Sequence, residues 1–328
     1  MSDHDAPVQT RTDPAFLASQ ATDRRTWIAA LEAMTAEEGY VEPLGPDHYA
    51  FFTDAGTTLL VSFETIGSAR ARPGQMPLGQ PLAQAQGWSH LSLLAEGETW
   101  FRDPAVYAFF DRLVDEAFFE DFDRVLFYGA GMGAHAACAF AVTAPGAQVL
   151  AISPCATLDP AQAGWDKRHR SARRLDFTSR YGYAPEMTEG AGHVVLIHDP
   201  MVSEEAMHAA LFRAPWVTVL KAPLMGGRIE WALAHMGVLP ELVDLAMQGK
   251  LGRFSFARLW RRRRDFAPYL QAILDRAEDK GRRGLAISVC RSVTRRLRAP
   301  RFARRLEKLL RKAEDGVQAG APVGQQSL

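Results

Sequence analysis

The sequence predicts an α/β fold, a mostly parallel sheet sandwiched by helices, with an all-helical C-terminal extension. Short continuous apolar runs alternate with helix-spaced segments up to about residue 223, the pattern of strands buried between helical layers. From about residue 228 only helical patterns remain. Charge divides along nearly the same line. Between Lys250 and Asp315 lie 21 Lys/Arg and 7 Asp/Glu, whereas the rest of the chain holds 17 basic and 31 acidic residues, although the whole is neutral. Such a split marks the C-terminal quarter as a separate unit. The expected organisation is a disordered N-terminus over 1–20, a sheet domain over 22–250, a basic helical extension over 251–314 and a disordered tail over 315–328.

The elements follow in order. Thr22 or Asp23 caps a helix running to about Glu38, with Trp27, Ile28, Leu31 and Met34 on one face. "GYVEPLG" and "HYAFFTD" read as a hairpin-like strand pair, and "TTLLVSFET" (57–65) as a buried strand. Residues 67–86, rich in Gly, Pro, Gln and Ala, read as a long loop. "WSHLSLLAEG" is the next strand, and 104–120 is a helix with Pro104 in its first turn. "RVLFYGAG" (124–131) is a strand entering a glycine turn, followed by a helix over about 133–143 and the strand "GAQVLAISP". "HVVLIHDP" (193–200), the helix "EEAMHAALF" and the strand "WVTVLKAP" (216–223) complete the sheet pattern.

Composition limits the function classes. The 328 residues are 47% hydrophobic and 23% charged, as in a soluble globular protein. No apolar run approaches the roughly 18–20 residues of a membrane span, and "MSDHDAPVQTRTDPAF" lacks the apolar core of a signal peptide, so the expected location is cytoplasmic. Cys138, Cys155 and Cys290 lie far apart with no CxxC pair. They read as buried reduced thiols, with no metal site and no cofactor implied.

The turn in "VLFYGAGMGAHAACAFA" has two readings. Gly129, Gly131 and Ala134 satisfy G-x-G-x-x-A, a turn that lets backbone approach a dinucleotide pyrophosphate. Against this, the next strand ends in Ser153-Pro154 where an acid for the ribose hydroxyls is needed, and the turn follows at least three strands. The second reading is a nucleophile elbow, G-x-S-x-G between strand and helix. Gly129 and Gly133 are its small flanks, and Gly131 occupies the nucleophile position with no side chain to attack.

"FYGAGMGAHAACAFAVTAPGAQVLAISPCATLDP" resembles the α/β-hydrolase-like proteins, found in bacteria, whose elbow reads GxSMGG and is followed by an alanine-rich helix and "VLAxSPQ". "TTLLVSFE" and "GETWFRD" resemble that family's strand before the oxyanion loop and its W-[YF]-R-D segment. The resemblance covers roughly residues 50–250. It implies that Asp199 in "VVLIHDP" is the triad acid and that the histidine position falls on Gly227 or, preferably, Arg228. Only the acid is then left of the triad, since Gly131 cannot attack and a guanidinium stays protonated and is no base. Two arrangements are then open: Asp199 pairs with Arg228 as a structural salt bridge, or the site is a binding pocket with an electropositive floor in which Gly131 leaves room for a ligand to approach the backbone. His135 and His235 read as structural or surface histidines, Ser153, Ser179 and Ser203 lie outside the elbow, and Arg180, Tyr181 and Tyr183 read as ordinary loop packing.

The resemblance therefore implies a catalytically degenerate binding or scaffold protein. The alternatives are an enzyme of non-triad mechanism in the same cleft (a hydrolase or acyltransferase) and a dinucleotide-binding protein. Phosphoadenosine phosphosulfate reduction is disfavoured, because it needs a Cys-Gly-x-His setting and Cys290 lies in "SVCRSV". The basic helices over 258–312, with Leu297, Phe302, Leu306, Leu309 and Leu310 as apolar anchors and Pro300 dividing them, are candidates for a protein partner, and less so for nucleic acid or an anionic membrane surface. The competing reading is that they pack on the acidic remainder of the chain or are merely solvated.

Overall fold

Eight strands form one sheet in the order β1-β2-β4-β3-β5-β6-β7-β8. The computed structural model describes residues 14–318. β1 (Gly39–Leu44) and β2 (His48–Thr53) make the expected hairpin, in which Gly45 takes φ +66° at the turn. β2 also pairs antiparallel with β4 (Ser89–Ala95). The remaining strands, β3 (Thr58–Thr65), β5 (Arg124–Ala130), β6 (Gln148–Ile152), β7 (His193–His198) and β8 (Val217–Lys221), pair in parallel. The inner parallel strands β5, β6 and β7 are almost wholly buried and so read as continuous apolar runs, whereas the edge strand β8 is mostly half-buried.

Two corrections concern the first third of the chain. Residues 14–20, expected as part of a disordered N-terminus, form α1 (Pro14–Gln20). Residues 1–13 lie outside the described residues. Asp23 does cap α2 (Arg24–Thr35), accepting from the Thr26 amide at 2.9 Å. Residues 67–86 are not a loop. They hold α3 (Ile66–Arg70) and α4 (Gly79–Gln86), which belong to the β3-to-β4 crossover. Gly79 sits inside this segment because a Cβ there would lie 2.1 Å from the His90 ring, a tertiary constraint that composition hides. Trp27, Ile28 and Leu31 of α2 pack on Phe51, Ile66 and Leu94.

α5 (Pro104–Asp115) carries β4 over to β5, and Asp103 caps it. α6 (Met132–Phe140) follows β5 and is buried from Gly133 to Phe140. Its alanines let it lie close on the sheet, where Phe63 stacks with Phe110, Phe127 and Phe140. Short helices α7 (Pro160–Ala163) and α8 (Ala184–Met187) lie between β6 and β7. α9 (Ser203–Leu211) joins β7 to β8. α10 (Ile229–His235) and α11 (Leu239–Met247) follow β8.

The chain divides into two compact units between Arg258 and Leu259, within α12 (Arg253–Trp260), rather than after residue 250. The second unit contains α13 (Ala267–Asp279), α14 (Arg283–Arg296) and α15 (Pro300–Gln318). Pro300 opens α15, as the sequence predicts. Its core is Leu270, Leu274, Ala277, Cys290, Val293 and Phe302. α15 runs on to Gln318, past the start of the tail expected at 315, and the rest of that tail lies outside the described residues. Among the described residues no helix is long and apolar enough to cross a membrane.

Candidate functional site

The ends of β5, β7 and β8 bring the candidate residues to one side of the sheet. Between β5 and α6, Gly131 has φ 56° and ψ −116°, a backbone that side-chain-bearing residues rarely adopt. Its amide donates to the Ile152 carbonyl at 2.9 Å, and its own carbonyl accepts from Ala134 and His135. The three glycines serve different needs. A Cβ on Gly129 would lie 2.1 Å from the Gly133 carbonyl oxygen, and one on Gly133 would lie 2.2 Å from that of Phe63. A Cβ on Gly131 would meet nothing within 4 Å. The flanks are glycine for contact, the apex for dihedral angle alone. No side chain caps α6, so the Met132 and Gly133 amides have no intrahelical acceptor.

Asp199, at the end of β7, is 1% exposed. Its Oδ1 accepts from the Met201 amide at 2.8 Å, and its Oδ2 accepts from the Met225 and Gly226 amides, both at 2.7 Å. Asp199 does not pair with Arg228, contrary to the salt-bridge arrangement. The carboxylate is occupied by backbone donors, and the Arg228 guanidinium lies 3.9 Å over the Trp231 ring, a cation–π contact. Arg228 is exposed and forms no ion pair among the described residues.

Gly131, Gly227 and Arg228 line one cleft of about 680 Å³. Two carboxyl groups that sequence reasoning did not single out, Glu205 and Glu230, line it too. Glu205 accepts the Asp199 amide at 2.9 Å, and Glu230 accepts the buried Tyr128 hydroxyl. Burial pushes both carboxyls above their ordinary range and outweighs these hydrogen bonds. Their sequence signal was masked, because an acid in the first turn of a helix is ordinary there. Trp100 lines the same cleft, 2% exposed, and its indole N–H has no partner among the described residues. Trp100 and Phe101 both hold φ of 55°, a consecutive pair in the left-handed region.

A second polar cluster borders the cleft. Cys155 Sγ lies 3.6 Å from His208 Nε2, which lies 3.0 Å from Asp166 Oδ2. This is not a nucleophile–base–acid relay. His208 Nδ1 accepts the Ala156 amide at 3.2 Å, so the ring proton is on Nε2 and goes to Asp166. A base needs that nitrogen bare toward the thiol, with the acid at the other nitrogen. Burial also pushes the Cys155 thiol well up, away from the reactive thiolate. The cluster has no short-range sequence signature, since its members are at 155, 166 and 208.

The remaining candidates fall outside the chemistry. His135 is 1% exposed, with Nδ1 on the Cys155 carbonyl, and burial lowers its pKa to about 3. His235 is exposed and stacks on Trp231. Ser153 lines the cleft with φ 52°, Ser179 accepts from Arg102, and Ser203 bonds Glu204. Arg180 pairs with Asp111 and bonds the Tyr181 hydroxyl, and neither Tyr181 nor Tyr183 lines the cleft. Among the described residues no group of three His, Cys, Asp or Glu side chains could hold a metal ion. The sheet winds outward in both directions from β3, whereas the glycine turn follows β5. A dinucleotide fingerprint is carried by the first βα turn of the parallel unit, which here follows β3, so the turn after β5 is not in that position.

No protein-family model and no curated protein matches the chain. Among solved structures it is similar to Est1E from Butyrivibrio proteoclasticus (14% identity, 65% of this chain and 100% of that one, TM-score 0.45). It is also similar to the capsule O-acetyltransferase of Neisseria meningitidis serogroup A (12%, 63% and 93%, TM-score 0.41) and to an alpha-beta serine hydrolase homologue from Coxiella burnetii (11%, 66% and 98%, TM-score 0.38). With a parallel sheet in this strand order, a leading antiparallel hairpin and a tight glycine turn between β5 and α6, the chain has an α/β-hydrolase-like fold.

Proposed function

We propose that this chain is a catalytically degenerate α/β-hydrolase-like protein that binds a small ligand in the cleft over Gly131. The supporting observation is the apex itself: elbow backbone is present and opens on a 680 Å³ cleft, but the apex residue carries no side chain to attack. Without a serine at the elbow the triad's acyl-enzyme route is missing, and Arg228 in place of a histidine supplies charge, not a base. What the cleft does offer is donors. The uncapped start of α6, the Arg228 guanidinium, in no ion pair among the described residues, and the Trp100 N–H suit a ligand bearing an anionic or strongly accepting group. Burial, by holding Glu205 and Glu230 toward their neutral forms, lessens the negative charge set against it.

The test is a thermal-shift and calorimetric titration of the full chain with hexanoate and inorganic phosphate, against hexanol as neutral control. An anion-specific rise in Tm that Arg228→Ala abolishes is expected. A parallel assay with p-nitrophenyl acetate should show no turnover by wild type or by Gly131→Ser alone, since neither has a base. Turnover by the wild type would overturn the reading.

A second reading, an enzyme of non-triad mechanism in the same cleft, is favoured by one observation: two carboxyls with raised pKa face a common space. It requires ester hydrolysis or acyl transfer by the wild type, with a pH profile displaced by Glu205→Gln or Glu230→Gln.

A further inference from the structure

We infer that the second unit carries a docking groove for an acidic amphipathic helix of another protein. The groove, of about 530 Å³, lies among α13, α14 and the start of α15. Its floor is apolar: Leu270, Val293, Leu297 and Phe302. Arg298, Arg301 and Arg304 stand at its edge, exposed and in no ion pair among the described residues. Their neighbours behave differently. Arg305 is held by Glu278, and Arg296 by Asp265, so that this groove-lining acid is already neutralised. The unit thus pairs its internal arginines and leaves three free on one rim.

The chemistry selects the occupant. The three arginines recur every third residue, and on α15 that spacing places Arg301 and Arg304 one turn apart on one face. Carboxylates spaced one turn apart on a facing helix meet them, while its apolar residues at i, i+3 and i+4 enter the floor. A single-stranded nucleic acid needs exposed rings for stacking, and the one aromatic ring here, Phe302, is 5% exposed. A membrane surface needs apolar side chains that stand proud of the charges, and here they are recessed beneath them. The groove lies in the second unit alone, so this inference is independent of the ligand proposed for the cleft over Gly131.

The test uses the full chain and fluorescence anisotropy with a labelled synthetic helix of about 18 residues, leucines at i, i+3 and i+4 spacing and glutamates on both flanks. Micromolar binding is expected, weakened about tenfold or more in Arg298→Glu/Arg301→Glu/Arg304→Glu. All three side chains are exposed, so the variant should keep the wild-type circular dichroism and Tm. A peptide of the same composition with its leucines scrambled off one face should bind about tenfold more weakly. Equal binding of the scrambled peptide, an unchanged affinity in the triple variant, or tighter binding of poly(U) or phosphatidylserine vesicles than of the helix would each overturn the inference.

Discussion

Substituting alanine at each of the three elbow glycines separates contact from conformation. At Gly131 the added Cβ meets nothing within 4 Å, so the only cost is holding φ 56°, ψ −116° with a side chain present. That is about 1–3 kcal/mol. For a unit of this size it lowers Tm by roughly 2–10 °C. At Gly129 and Gly133 the Cβ falls 2.1 and 2.2 Å from backbone carbonyl oxygens, well inside the 3.0 Å below which real Cβ atoms essentially never approach. Relief requires α6 to move off β5 and β3, and α6 is buried along almost its whole length. Each should therefore cost more than about 4 kcal/mol. Urea denaturation followed by tryptophan fluorescence and circular dichroism reads the order: Gly131→Ala mild, the other two severe. A Gly131→Ala as damaging as Gly129→Ala, or a Gly133→Ala within about 1 kcal/mol of wild type, would refute the geometry from which the elbow is argued.

Three further expectations follow from buried groups. Asp199→Asn keeps the shape but loses the charge that holds three amides, and turns an NH₂ toward some of them. It should destabilise the unit by about 2–4 kcal/mol and accelerate hydrogen exchange at the Met225 and Gly226 amides. Burial, outweighing Arg72 beside it, raises Glu64 from the usual carboxylate value to about 7. Its folded form thus binds a proton more tightly than the unfolded chain does. That contribution to stability is fully present below about pH 4.5 and is lost as pH rises through about 7, so in urea titrations across that window Glu64→Gln should show less loss of stability than wild type. All three cysteine thiols are buried and have their pKa pushed up by that burial. Ellman's reagent should find no fast-reacting thiol in the folded protein and three in denaturant, and a rapid native phase assigned to Cys155 would contradict the His208 tautomer described here.

The sheet was legible because its signals are local. A strand, three glycines and an alanine helix in one run place Gly129, Gly131 and Gly133, and the acid closing "VVLIHDP" places Asp199. Pro300 likewise breaks the C-terminal pattern where the chain breaks. The illegible parts depend on contacts between distant residues. α4 begins with a glycine that only the His90 ring explains. The expected Asp199–Arg228 pair was a charge argument, and it lost to backbone amides closer than any guanidinium and to the face of Trp231. Glu230 owes its buried setting to Tyr128, a hundred and two residues away, and nothing near either residue announces the other.

The three amides on Asp199 bear on how such chains are read. This one carboxylate ties the exit of β7 to the segment leaving β8, acting as a latch just past the point where the Ala222 amide makes its backbone bond to the His198 carbonyl. A latch of that kind is needed whether or not a histidine stands beside it. An acid at this corner of the fold is therefore held by architecture alone, and its presence by itself is no sign of a working triad.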